Sequence, residues 1–171
     1  MAITPIGSAI KKRSDVVAFY GIGAVFHRMR GFTEGAISKN PKEYTRQYID
    51  EDSEQTDVVG YSPSMTYNFD SYAGNQVHED IAKISDDELV GLAAVRPILV
   101  VDFTKSGTAE GSYMAKLREY AVIPNSEGNG TDAYTYSGTL RSKSAKEDVE
   151  VTSTDGFMTA TIITGGGTDN D

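Results

Sequence analysis

The sequence contains no cysteine among its 171 residues. This absence excludes disulfide bonds, thiolate nucleophiles, iron–sulfur clusters and zinc sites with cysteine ligands. Tryptophan is also absent, and the only histidines are His27 and His78. No apolar run approaches the roughly 20 residues that span a bilayer, so we expect no membrane insertion. The composition, 39% apolar and 24% charged, is typical of a globular protein, and the length predicts one domain over residues 1–171.

The charge of the chain is mostly negative and unevenly distributed. It has 16 basic and 25 acidic residues, a net charge of −9. Such a chain is not expected to bind nucleic acid through its general field, because the phosphates would be repelled. Residues 1–30 nevertheless carry a net charge of +4, and residues 31–171 carry −13. This polarity indicates either stacking between subunits or a polar N-terminal tail that keeps the chain in solution.

Alternation of apolar and polar residues, the period of a β-strand, dominates the sequence. The alternating segments predict strands at 25–30, 64–70, 113–123, 134–141, 148–152 and 158–162, with weaker candidates near 15–20 and 32–38. The apolar run from Ile98 to Phe103 predicts a strand buried on both faces. The pair Asp155-Gly156 predicts a hairpin turn, and residues 125–132 predict a long glycine-rich loop.

One segment has the helical period instead. Asn75 is a suitable N-cap for a helix whose apolar positions lie on one face: Val77, Ile81 and Ile84. The pattern at 85–88 is that of a capping box, and it predicts a second helical turn that buries Leu89 and Leu92 and ends at Gly91. Seven to nine strands with one short helical element predict a mainly β fold, a β-sandwich or partial barrel flanked by a helix. Residues 1–14 and 165–171 are expected to be a flexible N-terminal arm and a flexible C-terminal tail.

The sequence contains no specific catalytic or ligand-binding motif. His78, Glu79 and Asp80 are consecutive on the predicted helix, so their side chains fan apart and cannot converge on one metal ion. The loop from Asn125 has Tyr136 at the twelfth position, where a calcium loop requires a carboxylate. No Gly-x-Ser-x-Gly motif is present. We therefore expect a protein that is not an enzyme and that uses no cofactor and no metal.

Three stretches resemble the major tail proteins, or tail tube proteins, of long-tailed bacteriophages that infect Gram-positive bacteria. The first is the Tyr-Arg, acidic-loop and Gly-Tyr-x-Pro pattern over residues 44–64. The second is the helix start Val77 to Ile81. The third runs from Glu119 to Pro124 and through the glycine-rich loop to residues 133–138. The resemblance extends over about residues 15–163, and it consists of diffuse structural signatures.

The resemblance implies a structural virion protein that polymerises as stacked, hexameric rings into the tail tube. It implies that strands of neighbouring subunits form a continuous barrel around a lumen, and that rings stack through a long loop or hairpin and the terminal arms. The tube would be an acidic channel through which DNA passes to the host without specific binding. The partners implied are further copies of the chain, the tape measure, the terminator and the distal tail protein. Assembly would take place in the host cytoplasm, and the location would be the virion tail.

Two sets of residues are candidates for contacts in such a tube. The inter-ring candidates are a basic arm and an acidic loop of opposite charge: Lys11, Lys12, Arg13, Asp50, Glu51, Asp52 and Glu54. We hypothesise that the arm of one ring meets the loop of the next. The lumen-facing candidates are the polar positions of two predicted strands, because a tube wall presents one polar face to solvent: Ser64, Thr66, Asn68, Asp70, Thr135, Ser137 and Thr139.

Three alternative interpretations remain open on the sequence. The chain could be the inner tube of a contractile tail or of an injection system, which a sheath protein would reveal. It could be a carbohydrate-binding β-sandwich on a virion, although it lacks the tryptophan that stacks best on sugars. It could be a small hydrolase with two scattered carboxylates, which would require a cleft holding a perturbed carboxyl pair. Glu51, Asp52 and Glu54 could form a cation site, but the sequence favours a solvated acidic loop.

Overall fold

The structure is a computed structural model, and it describes residues 9–163. Twelve strands and one α-helix in these residues confirm the predicted mainly β class with a single helix. The contacts divide the chain into two compact units. Of the described residues, unit 1 comprises 9–29, 97–117 and 146–163, and unit 2 comprises 30–96 and 118–145. The expected single domain stays a prediction, and the two units are described separately.

Unit 1 is built around a closed barrel of six strands. These strands are β1 (Val16–Ile22), β2 (Val25–Arg28), β8 (Val95–Ser106), β9 (Tyr113–Glu127), β11 (Glu147–Thr152) and β12 (Thr159–Ile163). The order β11-β12-β2-β1-β8-β9 closes because β9 also pairs with β11. The predicted hairpin at Asp155-Gly156 joins β11 to β12, and Gly156 takes the positive φ of 72° that the turn needs.

The barrel is filled by the inward positions of its strands. Side chains from all six strands form this core: Phe19, Phe26, Leu99, Val101, Ala115, Val151 and Ala160. Along β11 the polar residues Asp148, Glu150 and Thr152 alternate with Val149 and Val151, of which Val151 is in the core and Val149 packs against it. The predicted run from Ile98 to Phe103 is the middle of β8, and Ile98, Leu99 and Val101 are indeed buried.

Unit 2 contains a sheet covered by the helix. Its elements are β3 (Phe32–Glu34), β4 (Ile37–Ser38), β5 (Pro41–Arg46), β6 (Gln55–Tyr61), β7 (Ser64–Asp70), α1 (Gln76–Asp86) and β10 (Thr135–Ser142), with the second half of β9. Strand β7 pairs with β10 on one side and with β3 and β4 on the other. Strands β5 and β6 form a separate sheet of two strands.

The α1 helix confirms the predicted cap and apolar face. The Asn75 side chain accepts hydrogen bonds from the backbone N–H groups of Val77 and His78, which satisfies two free donors of the first turn. Val77, Ile81 and Ile84 are all buried. The sheet supplies the facing apolar side chains from β7, β9 and β10: Met65, Tyr67, Phe69, Tyr120, Val122, Tyr136 and Leu140. Arg96 also fixes α1, because its Nε lies 2.9 Å from an Asp80 carboxylate oxygen.

The prediction of a second helical turn from a capping box at residue 85 is wrong. Ser85 lies inside the last turn of α1, and the helix ends at Asp86. Glu88 then takes a positive φ of 50°, which breaks the helical path. Gly91 begins a short 3-10 turn, Gly91–Ala94, rather than ending a helix. Leu92 in that turn is 79% exposed, so the burial predicted for it does not occur.

Candidate assembly surfaces

The β5–β6 hairpin is the most exposed apolar element of the described chain. Every residue of β5 and β6 is exposed except Arg46 and Gly60, which are half-buried. Its exposed large side chains include three tyrosines and two valines: Tyr44, Tyr48, Val58, Val59 and Tyr61. A two-stranded hairpin with both faces in water is marginally stable on its own. The hairpin therefore presents a surface that contact with a partner would stabilise.

A network around Arg46 keeps the exposed hairpin ordered. The Arg46 guanidinium lies 2.5 Å from a carboxylate oxygen of Asp57 on the opposite strand, and its Nε donates a hydrogen bond to the Tyr48 hydroxyl at 2.6 Å. The same guanidinium lies 5.3 Å from the ring centroid of Tyr44 and 5.4 Å from that of Tyr48. The hydroxyl of Tyr48 and the carboxylate of Asp57 raise the pKa of Arg46, so it stays charged. One arginine thus holds two exposed aromatic rings in place.

The four acidic inter-ring candidates lie together in the turn of this hairpin. We define the hairpin tip as residues 47–54, which connect β5 to β6 and contain Asp50, Glu51, Asp52 and Glu54. Ile49 lies in the same turn and is fully exposed. The Gln47 side chain donates to the Glu51 carbonyl at 3.1 Å, and Gln55 donates to the Glu51 carboxylate. The tip is therefore an apolar side chain surrounded by negative charge.

The basic inter-ring candidates lie in unit 1, next to the outer face of the barrel. Lys11 forms an ion pair with Asp102 on β8 of the same chain. This contact holds the pKa of Asp102 at about 2, mainly because Lys11 and the Thr104 hydroxyl bond to the carboxylate. Lys12 is exposed, and Arg13 begins a 3-10 turn, Arg13–Asp15, in which it donates to the Val16 carbonyl at 2.5 Å. Residues 1–8 of the predicted arm and the predicted tail at 165–171 lie outside the described residues.

Lys11 also lines a groove that the sequence did not reveal. The groove has a volume of about 330 Å³ and an apolar floor that includes Val16, Val100 and Met114. We define it as the lysine groove by the three lysines that line it: Lys11, Lys105 and Lys116. Lys116 forms an ion pair of 2.8 Å with Asp148 on β11. The groove takes residues from four separate segments, and the pairing of distant strands that unites them cannot be inferred from local sequence.

The charge of the lysine groove is opposite to that of the whole chain. Asp148 has its pKa lowered mainly by the hydrogen bond from Lys116, with further contributions from the charges of Lys146 and Lys105. Three lysines, Lys11, Lys105 and Lys116, line the groove against two carboxylates, those of Asp102 and Asp148, so its lining is net positive. Positive charge concentrated on an acidic protein attracts acidic partners.

The lumen-facing candidates do share one face of the β7–β10 pair. The register places Thr66 opposite Thr139, Asn68 opposite Ser137 and Asp70 opposite Thr135. Residues opposite each other in an antiparallel pair point to the same side, so these six side chains and Ser64 form one polar stripe. The residues between them on β7 and β10 point to the buried side under α1. No observation places the stripe in a lumen, and that part stays a prediction.

His78 is structural rather than part of a metal site. It is fully buried in the first turn of α1, and its Nε2 donates to the Arg30 carbonyl at 2.8 Å while Nδ1 accepts from the Tyr72 N–H at 3.2 Å. Its ring stacks on Phe69 with 4.2 Å between centroids. Within residues 9–163 no group of three histidine, aspartate or glutamate side chains could hold a metal ion. No helix in the same range is long and apolar enough to cross a membrane.

Comparisons with known proteins give no family for this chain. No protein-family profile matches it, and no curated protein matches it. Among solved structures, it is similar to a chain from "Cryo-EM structure of the anti-feeding prophage (AFP) baseplate, 6-fold symmetrised". That alignment covers 86% of this chain and 97% of the other, with 8% sequence identity and a TM-score of 0.47.

Proposed function

We propose that the protein is a structural component of a phage-type tail that polymerises as stacked rings into the tail tube. In this proposal it has no catalytic role, and its partners are further copies of itself and other tail proteins. The tube is a channel for DNA passage, and each subunit is made in the cytoplasm of the infected host and ends in the virion. The resemblance of residues 44–64, 77–81 and 119–138 to major tail proteins introduces the proposal.

The observation that carries the proposal is the exposed β5–β6 hairpin. Tyr44, Tyr61 and Val59 are all more than half exposed on this one two-stranded element. An exposed apolar cluster of this kind is typical of a surface that contacts another protein. Aromatic residues with a polar group are enriched at protein interfaces, since they bury apolar area and still satisfy water at the rim. A protruding hairpin that packs on another subunit makes a heterologous contact, and repeated heterologous contacts build rings or filaments.

The polar stripe on β7 and β10 supports the channel part of the proposal. Its side chains are hydroxyls and one amide, with Asp70 as the single carboxylate among the candidates. A surface of this kind offers no array of cations to hold phosphates. DNA would therefore pass along it without being retained.

Electron microscopy of the purified protein at increasing concentration tests the proposal. We expect rings, and then hollow filaments with a central channel, whose symmetry can be read directly from the images. A variant with Tyr44→Ser and Tyr61→Ser tests the role of the hairpin. Both substitutions remove exposed aromatic area from the hairpin and leave the two cores unchanged. We expect this variant to remain unassembled at concentrations at which the unmodified chain forms filaments.

A second measurement covers the case in which tube growth needs an initiator. If the protein stays monomeric, it is added to purified phage tail tips and examined for extension of the tube. A chain that neither self-assembles nor extends tips contradicts the proposal. The inner tube of a contractile tail would be indicated instead if the filaments recruit a sheath protein.

A further inference from the structure

We infer that the hairpin tip of one copy of the chain docks in the lysine groove of a second copy. The inference rests on the proposed function, which it deepens by naming both sides of one contact between subunits. The hairpin tip belongs to unit 2 and the lysine groove to unit 1, so the two sides of the contact are different surfaces of the chain, as a heterologous contact requires.

The charges of the two surfaces are complementary. The tip has four carboxylates, those of Asp50, Glu51, Asp52 and Glu54. The groove is lined by three lysines and two aspartates: Lys11, Lys105, Lys116, Asp102 and Asp148. The side chains of Lys11 and Lys116 are about half exposed even in their ion pairs with these aspartates. The amino groups of the lysines therefore remain accessible to a carboxylate from outside. Complementary charge at a rim mainly speeds encounter and sets orientation.

The apolar groups of the two surfaces are also complementary, and this is an independent observation. Ile49 is fully exposed at the tip, which places a large apolar side chain in water between acidic neighbours. The floor of the groove is made by Val16, Val100 and Met114. An apolar centre within a charged rim is the usual arrangement of a protein interface. The tip has an exposed isoleucine among carboxylates, and the groove has apolar residues among charged ones of which the majority are lysines.

The geometry changes the hypothesis that the basic arm alone meets the acidic loop. Lys11 takes part through the groove, while Arg13 is engaged in its own 3-10 turn. Lys105 on β8 and Lys116 on β9 take the place of Lys12 and Arg13 as the cationic partners of the acidic tip. The occupant is a second copy rather than a small anion, because the apolar floor contributes nothing to binding an isolated ion.

Disulfide trapping between chains tests the contact, and the absence of cysteine from the sequence makes each introduced pair specific. Chains with Ile49→Cys and chains with Met114→Cys, distinguished by tags of different size, are mixed and oxidised. The matched control pairs Ile49→Cys with Leu92→Cys, because Leu92 is well exposed but lies outside the groove. We expect the mixed disulfide of the first pair to exceed that of the control by about tenfold, and to decrease as salt rises from about 50 to about 500 mM.

Charge reversal distinguishes docking in the lysine groove from nonspecific association between chains. Lys105→Glu with Lys116→Glu, placed in the Met114→Cys chain, is expected to lower the yield of mixed disulfide several-fold. Lys39→Glu with Lys143→Glu, two exposed lysines outside the groove, should leave the yield unchanged. Introducing Asp50→Lys with Asp52→Lys into the Ile49→Cys chain should restore trapping by the reversed groove.

Two outcomes would overturn the inference: a yield of mixed disulfide equal to that of the Leu92→Cys control, or no effect of the Lys105→Glu, Lys116→Glu reversal on that yield. Electron microscopy of the same variants distinguishes this failure from failure of the proposed function. Filaments that form normally from the Lys105→Glu, Lys116→Glu chain contradict the docking and leave the tube intact. No trapping together with no assembly of the unmodified chain contradicts both.

Discussion

His78 joins three segments of unit 2, and replacing it should be costly. Its ring nitrogens bond the backbone at Arg30 and at Tyr72, and its ring stacks on Phe69. Gly31 lies beside it with a φ of 76°, and an added Cβ there would be 3.1 Å from the His78 ring. The segment before β3, the turn before α1 and the helix itself therefore meet at one side chain.

The cost of removing His78 can be worked out from these contacts. The variant His78→Phe keeps the ring stack but leaves a carbonyl and an N–H without their partner. At about 1–2 kcal/mol for each of these two partly buried groups left unpaired, it should lose about 2–4 kcal/mol of stability. The variant His78→Ala also loses the stack, which adds about 0.5–1.5 kcal/mol. Urea unfolding at pH 7.5, extrapolated linearly to water, measures both differences.

The pH dependence provides a second signature of the same side chain. Burial lowers the pKa of His78, and the Arg30 carbonyl and the charge of Asp70 offset this only in part. A pKa below the unfolded value of about 6.5 means that the unfolded chain binds the proton more readily. The contribution of His78 is thus complete above about pH 6.5 and is lost as the pH falls towards its folded pKa. The stability difference between the unmodified chain and His78→Phe should narrow between pH 7.5 and pH 5.

The reasoning would be refuted by either of two results. One is a loss of less than about 1 kcal/mol in His78→Phe, which would mean that water replaces the two hydrogen bonds at no cost. The other is a difference that stays constant from pH 7.5 to pH 5. The control is His27→Gln, which removes the only other histidine and should leave the pH dependence in place.

Two further substitutions test the local structure of unit 2. Asn75→Ala removes the cap of α1 and should cost about 1 kcal/mol of stability in urea unfolding. The control Asn125→Ala changes an exposed asparagine on β9 and should alter stability by no more than about 0.5 kcal/mol. Equal losses in the two variants would contradict the capping role. Gly138→Ala places a Cβ against the Ile123 carbonyl and the Tyr67 hydroxyl at the bulge between β9 and β10. Gly138→Ala should cost about 1–3 kcal/mol of stability. The control is the neighbouring Thr139→Ala. If the two variants have the same urea midpoint, the sheet accommodates the added Cβ without strain and the expectation is wrong.

The sequence predicted those elements in which burial follows a period. Met65, Tyr67 and Phe69 are buried at alternate positions of β7, and the helix buries Val77, Ile81 and Ile84 as expected. The error at residue 85 has a local cause. The sequence Ser-Asp-Asp-Glu is compatible both with a capping box at the start of a helix and with the last turn of a helix. The structure has it at the end of α1, where the buried Ile81 and Ile84 continue the helix to Asp86.

The sequence did not predict β5 and β6, because neither strand alternates. Both of their faces are exposed, so no apolar period marks them. The lysine groove was also missed, for a different reason. Lys11, Lys105 and Lys116 are separated by up to 105 positions, and they meet because β1 pairs with β8 and β8 pairs with β9. Contacts of this kind depend on long-range pairing, which local patterns do not encode.

The closed barrel and the β5–β6 hairpin differ in their exposure to aggregation: among the described residues the barrel has no free strand edge, whereas the hairpin has two. Each barrel strand has neighbours on both sides, so no row of unpaired backbone groups is offered there to a foreign strand. Strands β5 and β6 have no further neighbour in the described chain, yet Pro41, Lys42 and Asp57 interrupt them with residues that discourage strand addition. These three residues would keep strands β5 and β6 of separate molecules from pairing with one another at high protein concentration. Replacing them, rather than any core residue, is the change that would turn the protein towards amyloid-like deposits.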